Sequence, residues 1–285
     1  QKLCYACPVL SAPAPDSFLQ DSFSLGRYCL PMEPSFTDSG TVRNAILTLY
    51  AQSQGHAEAN VYLVAFEASD HAWQVLLQLI SESMQPVEDQ ATAMQQEQVA
   101  FFASNLMHSK VCKHWKSLPE HLRPQLGNTI LGIFTAVAEQ GLPVSKPVLT
   151  RLALTLAAVS LRTLGGTTTF VQQALGYGSQ SLTAVAASGG FLLPATATPS
   201  MRVALELLMQ LPGELEAADL PRQRKVEIAQ TELVPQFESM FALCSACLDA
   251  AQQATEAAAG AAAAASSAAA AAQQQQAFAS EALKC

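Results

Sequence analysis

The feature that most constrains this fold is a succession of apolar stripes with helical spacing, separated by glycine and proline. In one stretch, Trp73, Leu76, Leu77 and Ile80 fall at positions i, i+3, i+4 and i+7. That spacing places the four side chains on one face of an α-helix. One helix cannot bury such a face alone, so the stripe requires neighbouring helices.

The sequence supplies those neighbours one after another. The stripes and their breakers predict six helices, at 41–53, 56–69, 72–84, 89–116, from near Pro119 to Gly141, and at 146–163, with a further helix at 201–211 that ends at Pro212. The six helices form pairs of about 35–50 residues, the length of HEAT or armadillo units. We therefore predict an all-α protein, a right-handed α-solenoid of antiparallel HEAT-like helix pairs. Its predicted core includes Trp73, Leu76, Leu77, Phe102, Leu106, Leu152 and Leu156.

Composition divides the chain into three parts. Residues 1–40 are rich in proline and lack periodicity, residues 41–250 hold the repeats, and residues 251–285 form a low-complexity tail of alanine and glutamine. Within the repeats, residues 165–199 are predicted to form an irregular insertion. A long final helix at 226–253 is predicted to kink at Pro235 and to turn one face inward, which carries Leu233, Phe237, Met240, Phe241, Cys244 and Leu248.

Charge and cysteine content exclude several classes of protein. The net charge is −8, whereas a nucleic-acid binder needs a basic face, so we expect no direct nucleic-acid partner. No stretch has the length and hydrophobicity of a membrane span, and the alanine tract is too weakly apolar. Seven irregularly spaced cysteines do not form a disulfide framework, which favours reduced thiols in the cytosol or nucleus.

The sequence gives little sign of reaction chemistry. The pairs Cys4/Cys7 and Cys244/Cys247 have the Cys-x-x-Cys spacing, but neither has a second half of a zinc site nearby. Cys112 and His114 are two residues apart in a predicted helix, so their side chains point to different faces. We therefore expect no catalytic residues, no metal site, no cofactor and no enzymatic activity, although a distant histidine could still pair with a cysteine.

Four stretches of the chain, taken together, resemble the N-terminal part of the importin-β superfamily of nuclear transport receptors. They are VYLVAFEASDHAW at 61–73, VAFFASNLMHSK at 99–110, VLTRLALTLA at 148–157 and ALELLMQLPGE at 204–214. The transportin-SR and importin-thirteen branch is the most similar. The order and spacing of the stretches carry the resemblance over 41–250, whereas the first 40 residues and the region 165–200 depart from it.

The resemblance implies a transport receptor that shuttles between nucleus and cytoplasm, most often in the import direction. Its N-terminal arch would bind the GTP form of a Ran-like small GTPase, and the whole receptor would carry protein cargo past nucleoporins. The second helix of each pair would supply the Ran surface, with candidate contacts at Glu67, Asp70, Lys110 and Lys113. The lysines have another explanation, pairing with a helix dipole. The alternative function is a generic HEAT scaffold or adaptor with no dependence on Ran.

Overall fold

The computed structural model describes residues 36–51, 55–187 and 198–249, together with six residues between 252 and 260. None of these described residues forms a β-strand, which confirms the all-α class. The first eight helices are α1 Ser39–Ala51, α2 His56–Ala68, α3 Ala72–Ser83, α4 Gln90–His114, α5 Leu122–Gln140, α6 Lys146–Arg162, α7 Gly166–Ala187 and α8 Pro199–Ala217.

The helices pair in sequence order, and the pairs stack. Helix α1 packs on α2, α3 on α4, α5 on α6 and α7 on α8, while α6 also packs against both α4 and α8. We call α1, α3, α5 and α7 the A layer, and α2, α4, α6 and α8 the B layer. Polar contacts also join helices of the A layer. Arg43 of α1 forms a 2.8 Å ion pair with Glu82 of α3, and the hydroxyl groups of Thr135 in α5 and Tyr177 in α7 share a 2.7 Å hydrogen bond. This arrangement is that of HEAT-like repeats.

Local sequence signals explain several helix ends. The Asp89 carboxylate accepts a 2.8 Å hydrogen bond from the Thr92 N–H and so caps the start of α4. Thr198 caps α8 in the same way, accepting from the Met201 N–H at 3.2 Å. Gly141 ends α5 with φ of 66°, a left-handed conformation that glycine adopts without a steric cost.

The predicted core residues all belong to one hydrophobic core. Trp73, Leu76, Leu106, Leu152 and Leu156 are buried. The other two, Leu77 and Phe102, are partly buried and pack against the same cluster. The apolar stripe on α3 therefore has the structural role that the sequence predicts.

The predicted irregular insertion at 165–199 is wrong for most of its length. Residues Gly166–Ala187 form a 22-residue helix, the first helix of the fourth pair. Its buried side chains include Phe170, Ala174, Tyr177 and Ser181, which follow helical spacing. Burial of this face against α8 outweighs the low helix propensity of a segment rich in Gly, Ser and Thr. Residues 188–197 lie outside the described part of the chain.

The predicted end of α8 at Pro212 is also wrong, because the helix continues through this proline to Ala217. A proline inside a helix removes one backbone hydrogen bond and normally bends or ends the helix. Here Leu211 and Glu214 are both buried, at 1 % and 4 % exposure. Packing on both sides of Pro212 therefore holds the helix together.

The segment 222–249 is broken near Pro235, as the sequence predicts, but its inward face agrees with the prediction only in part. Of the predicted inward residues, Leu233 and Met240 pack against the core. Helix α9 (Arg222–Glu227) is followed by a π-helical segment, Ile228–Leu233, a 3-10 turn, Val234–Gln236, and a helix at 237–249, here α10. The buried residues of α10 are Leu243 and Cys247, whereas the exposed ones include Phe237, Phe241, Cys244 and Leu248. The π-helical segment changes the number of residues per turn, which rotates the following helix away from the predicted phase.

No helix in the described ranges combines the length and the apolar character needed to cross a membrane. The Pro-rich residues 1–35, and almost all of the Ala/Gln tail, lie outside the described residues. The predictions for those two segments therefore stay untested.

Candidate functional site

The C-terminal end of α2 is the point where three of the four predicted contact residues meet. Lys110, on α4, is only 1 % exposed. Its Nζ donates hydrogen bonds to the backbone carbonyls of Glu67 and Ser69, each at 2.8 Å. The same ammonium lies 4.8 Å from the ring centroid of Trp73 on α3. Carbonyls at a helix end lack intrahelical donors and carry partial negative charge, so Lys110 satisfies them from a neighbouring helix.

This position corrects the surface role predicted for Lys110 from the sequence. The side chain joins α2, α3 and α4 inside the protein and is not available to a partner. Burial lowers the pKa of Lys110 below its usual value, although the nearby carboxylates of Asp70 and Glu67 oppose the shift. Of the two predicted lysines of α4, Lys110 is therefore structural, and it pairs with carbonyls at the C-terminal end of α2 and not with those of its own helix.

The other predicted contacts lie around this junction. Glu67 accepts a 2.8 Å hydrogen bond from the Ser109 hydroxyl and forms a 3.2 Å ion pair with Lys113. The Lys113 side chain is 62 % exposed, and Asp70 is exposed in the turn between α2 and α3. Asp70 and Lys113 are therefore the two predicted residues that present charge to solvent.

A second cluster, which the sequence analysis missed, lies where the C-terminal part of α4 meets α8. The Nε2 atom of His108 lies 3.0 Å from a Glu214 carboxylate oxygen and 3.5 Å from the Sγ of Cys112. The same thiol lies 3.6 Å from the second oxygen of Glu214. The Glu214 side chain is 5 % exposed and that of His108 is 19 % exposed. We call these three residues the His–Cys–Glu cluster.

The cluster holds a charged pair in a largely buried place. Desolvation by itself would lower the pKa of His108, but the hydrogen bonds and charges of Cys112 and Glu214 outweigh it and raise the pKa to about 9. The imidazole is therefore protonated at neutral pH and pairs with the Glu214 carboxylate.

One half of the cluster was visible in the sequence and the other was not. His108 and Cys112 are four residues apart, the spacing that puts two side chains on one helix face. This local signal was missed, because Cys112 was considered only with His114. Glu214 is 106 residues from His108 along the chain. Only the stacking of α4, α6 and α8 brings it there, so sequence spacing alone could not identify it.

Exposed hydrophobic side chains concentrate on the B layer. Among the described residues of the eight paired helices, the large exposed hydrophobics on the B layer are Val61, Val64, Met94 and Met209. On the described part of the A layer, Tyr50 alone is both large and exposed in this way. Exposed apolar side chains indicate a surface that contacts a partner where they form a contiguous patch.

Comparison with known proteins supports a relationship between this chain and the importin-β superfamily. Residues 59–136 match the family model described as "Importin-beta N-terminal domain". The matched range runs from α2 into α5 and includes Glu67, Asp70, Lys110 and Lys113. Members of this superfamily are transport receptors, in agreement with the predicted class of function.

The chain is also similar to an uncharacterized protein of Schizosaccharomyces pombe. The two sequences are 26 % identical over 123 residues, which is 42 % of this chain and 11 % of the relative. The chain thus spans only a small part of that relative's length. The name of the relative assigns no activity, so it adds no information about function.

Proposed function

We propose that this chain is the N-terminal part of an importin-β-type nuclear transport receptor, which binds the GTP form of a Ran-like GTPase through its B layer. The match of residues 59–136 to the importin-β N-terminal domain carries this proposal. That domain is the region that binds Ran-GTP in the family. Protein cargo and nucleoporins are proposed partners of the whole receptor, which shuttles between nucleus and cytoplasm in the import direction. The proposed branch is transportin-SR and importin-thirteen.

The proposed binding depends on complementary surfaces and involves no catalysed reaction. The B layer offers the exposed hydrophobics Val61, Val64 and Met94. The exposed charges are those of Asp70, after the end of α2, and of Lys113, in the last turn of α4. Apolar contacts supply affinity, whereas charged groups at the rim control the association rate and the choice of partner. Glu67 contributes indirectly, because its carboxylate positions the Lys113 ammonium.

The experiment is a binding titration of the chain with Ran loaded with GDP or with a non-hydrolysable GTP analogue. We expect tighter binding of the GTP form by at least about 10-fold, a difference of about 1.4 kcal/mol in binding free energy. Equal affinity for both forms would contradict the proposal and would favour a HEAT scaffold without Ran dependence.

Two charge-reversal variants locate the surface. Asp70→Lys reverses an exposed charge beside the B layer, and we expect it to weaken binding of the GTP form. The matched control is Glu139→Lys, which makes the same change at an exposed position of α5 in the A layer. The proposed surface is wrong if Glu139→Lys weakens binding as much as Asp70→Lys does.

A further inference from the structure

We propose that the His–Cys–Glu cluster is a zinc-binding site that joins α4 to α8. The site would use the Nε2 of His108, the thiolate of Cys112 and the carboxylate of Glu214, and it would leave one position open to solvent. The inference rests on the geometry of this cluster and does not depend on the proposed transport function.

The ligand atoms are close to the spacing of a tetrahedral zinc site. Zinc bonds of about 2.0–2.3 Å at the tetrahedral angle place neighbouring ligand atoms about 3.3–3.6 Å apart. In the structure, Cys112 Sγ is 3.5 Å from His108 Nε2 and 3.6 Å from a Glu214 oxygen. The third distance, 3.0 Å, joins His108 Nε2 to the other Glu214 oxygen. It is a hydrogen-bond length that lengthens by a few tenths of an ångström when a metal replaces the proton, and ligation through one oxygen requires a small rotation of the carboxylate. All three candidate ligand atoms lie within 4.8 Å of one another.

The donor set also favours zinc over harder cations. A thiolate, an imidazole and one carboxylate match the borderline-soft character of zinc, whereas magnesium and calcium require mainly oxygen ligands. The spacing of His108 and Cys112, four residues apart on one helix, allows both side chains to bind a single ion without distortion of the backbone. Zinc binds the thiolate of a cysteine and the neutral imidazole of a histidine, so metal binding and proton binding would compete at this site.

The same contacts argue against a nucleophile–base arrangement. In a catalytic triad the base uses one ring nitrogen toward the nucleophile and the other toward the carboxylate. Here Cys112 and Glu214 both approach the same atom, His108 Nε2. Mutual contact of three donor groups fits metal ligation better than a relay through the two ring nitrogens.

The fold explains how the two helices reach each other. Helix α6 packs against both α4 and α8. Its fully buried residues include the alanines Ala153, Ala157 and Ala158, whose small side chains permit close packing of neighbouring helices. A zinc ion bound by α4 and α8 would therefore lock two repeats together.

The experiment is a titration of the metal-free, reduced chain with Co²⁺ and then with Zn²⁺. The proposal predicts one equivalent of Co²⁺ with thiolate-to-cobalt charge-transfer absorption, displaced by Zn²⁺. Cys112→Ser and His108→Ala should each weaken binding by at least about 100-fold, the upper end of the loss seen for outer-shell partners of a metal site. The isosteric change Glu214→Gln should weaken binding in the same direction. Each variant should also lose the rise in melting temperature that zinc gives to the unmodified chain.

A control variant separates this site from the other cysteines. The combined change Cys4→Ser, Cys7→Ser and Cys244→Ser breaks both Cys-x-x-Cys pairs and leaves the buried Cys247 in place. The proposal predicts that this variant binds Co²⁺ as the unmodified chain does. Loss of binding in the control, or unchanged binding in Cys112→Ser, would overturn the assignment.

X-ray absorption of the zinc-loaded, unmodified chain provides an answer even where a variant fails to fold. We expect one sulfur ligand and two or three nitrogen or oxygen ligands. A shell without sulfur, a shell with several sulfurs, or the absence of stoichiometric zinc would refute the site.

Discussion

Lys110 offers the sharpest test of how the first two helix pairs are held together. The change Lys110→Met keeps most of the length of the side chain and removes the ammonium. It removes the Lys110 Nζ donor, which lies 2.8 Å from the carbonyl oxygens of Glu67 and Ser69. The Ser69 carbonyl keeps only the Ala72 N–H, at 3.3 Å. The contact of the ammonium with the Trp73 ring is lost as well.

The expected change in the free energy of unfolding follows from two opposing effects. Two hydrogen bonds from a charged donor contribute about 3–6 kcal/mol in total to stability. Burial of the Lys110 ammonium has a desolvation cost, which is also the cause of its lowered pKa. The uncharged methionine avoids this cost, so part of the stability lost with the hydrogen bonds is regained. We therefore expect Lys110→Met to reduce the free energy of unfolding by about 2–3 kcal/mol.

The assay is urea unfolding at pH 7 followed by circular dichroism, with Lys113→Met as the matched control. Lys113 lies one turn further along α4, and its side chain is 62 % exposed in a 3.2 Å ion pair. An exposed ion pair contributes about 0–1 kcal/mol. If the two variants lose the same stability within about 0.5 kcal/mol, a level at which surface substitutions are usually indistinguishable, the structural role of Lys110 is refuted.

Two further predictions concern the fourth pair and the start of α4. A Cβ at Gly178 would lie 2.6 Å from the Leu243 side chain of α10, so Gly178→Ala should cost about 1–3 kcal/mol in a urea titration. Gly176→Ala, where nothing lies within 4 Å of the added carbon, should instead gain about 0.5–1 kcal/mol, and equal effects would show that α10 does not pack there. Hydrogen bonds from Thr92 hold the pKa of Asp89 below its ordinary 3.8, so Asp89→Ala should lower the melting temperature above that pH. The difference should disappear as the pH falls through the folded-state pKa, because the protonated carboxyl no longer caps the helix, and a difference that persists in acid would contradict this.

The sequence predicted the parts of the fold that depend on local periodicity. The stripe around Trp73 identified a core helix, and Gly141 marked the end of α5, because both signals act within a few residues. Prediction from the sequence failed for α7, where residues of weak helix propensity form a helix with a buried face. It also failed for α10, where a π-helical segment changes which face of the helix points inward. Those outcomes depend on tertiary packing, which outweighs local propensity.

The candidate sites show the same division between local and distant information. A lysine near a helix end is expected to be a surface charge, and only the position of α2 reveals that Lys110 is buried against its carbonyls. The pair His108 and Cys112 is a local signal, whereas Glu214 comes from a helix two pairs later. The roles of Asp70 and Lys113 in partner binding stay predictions.

Hydrogen–deuterium exchange of the chain, with and without Ran, tests the central proposal most directly. With Ran bound to a GTP analogue, we expect slower exchange in peptides from the B layer, above all α2 and α4, and little change in the A layer. The GDP form at the same concentration should leave exchange nearly unchanged. Protection confined to the A layer, or equal protection by both nucleotide forms, would contradict a receptor that recognises Ran-GTP through its B layer.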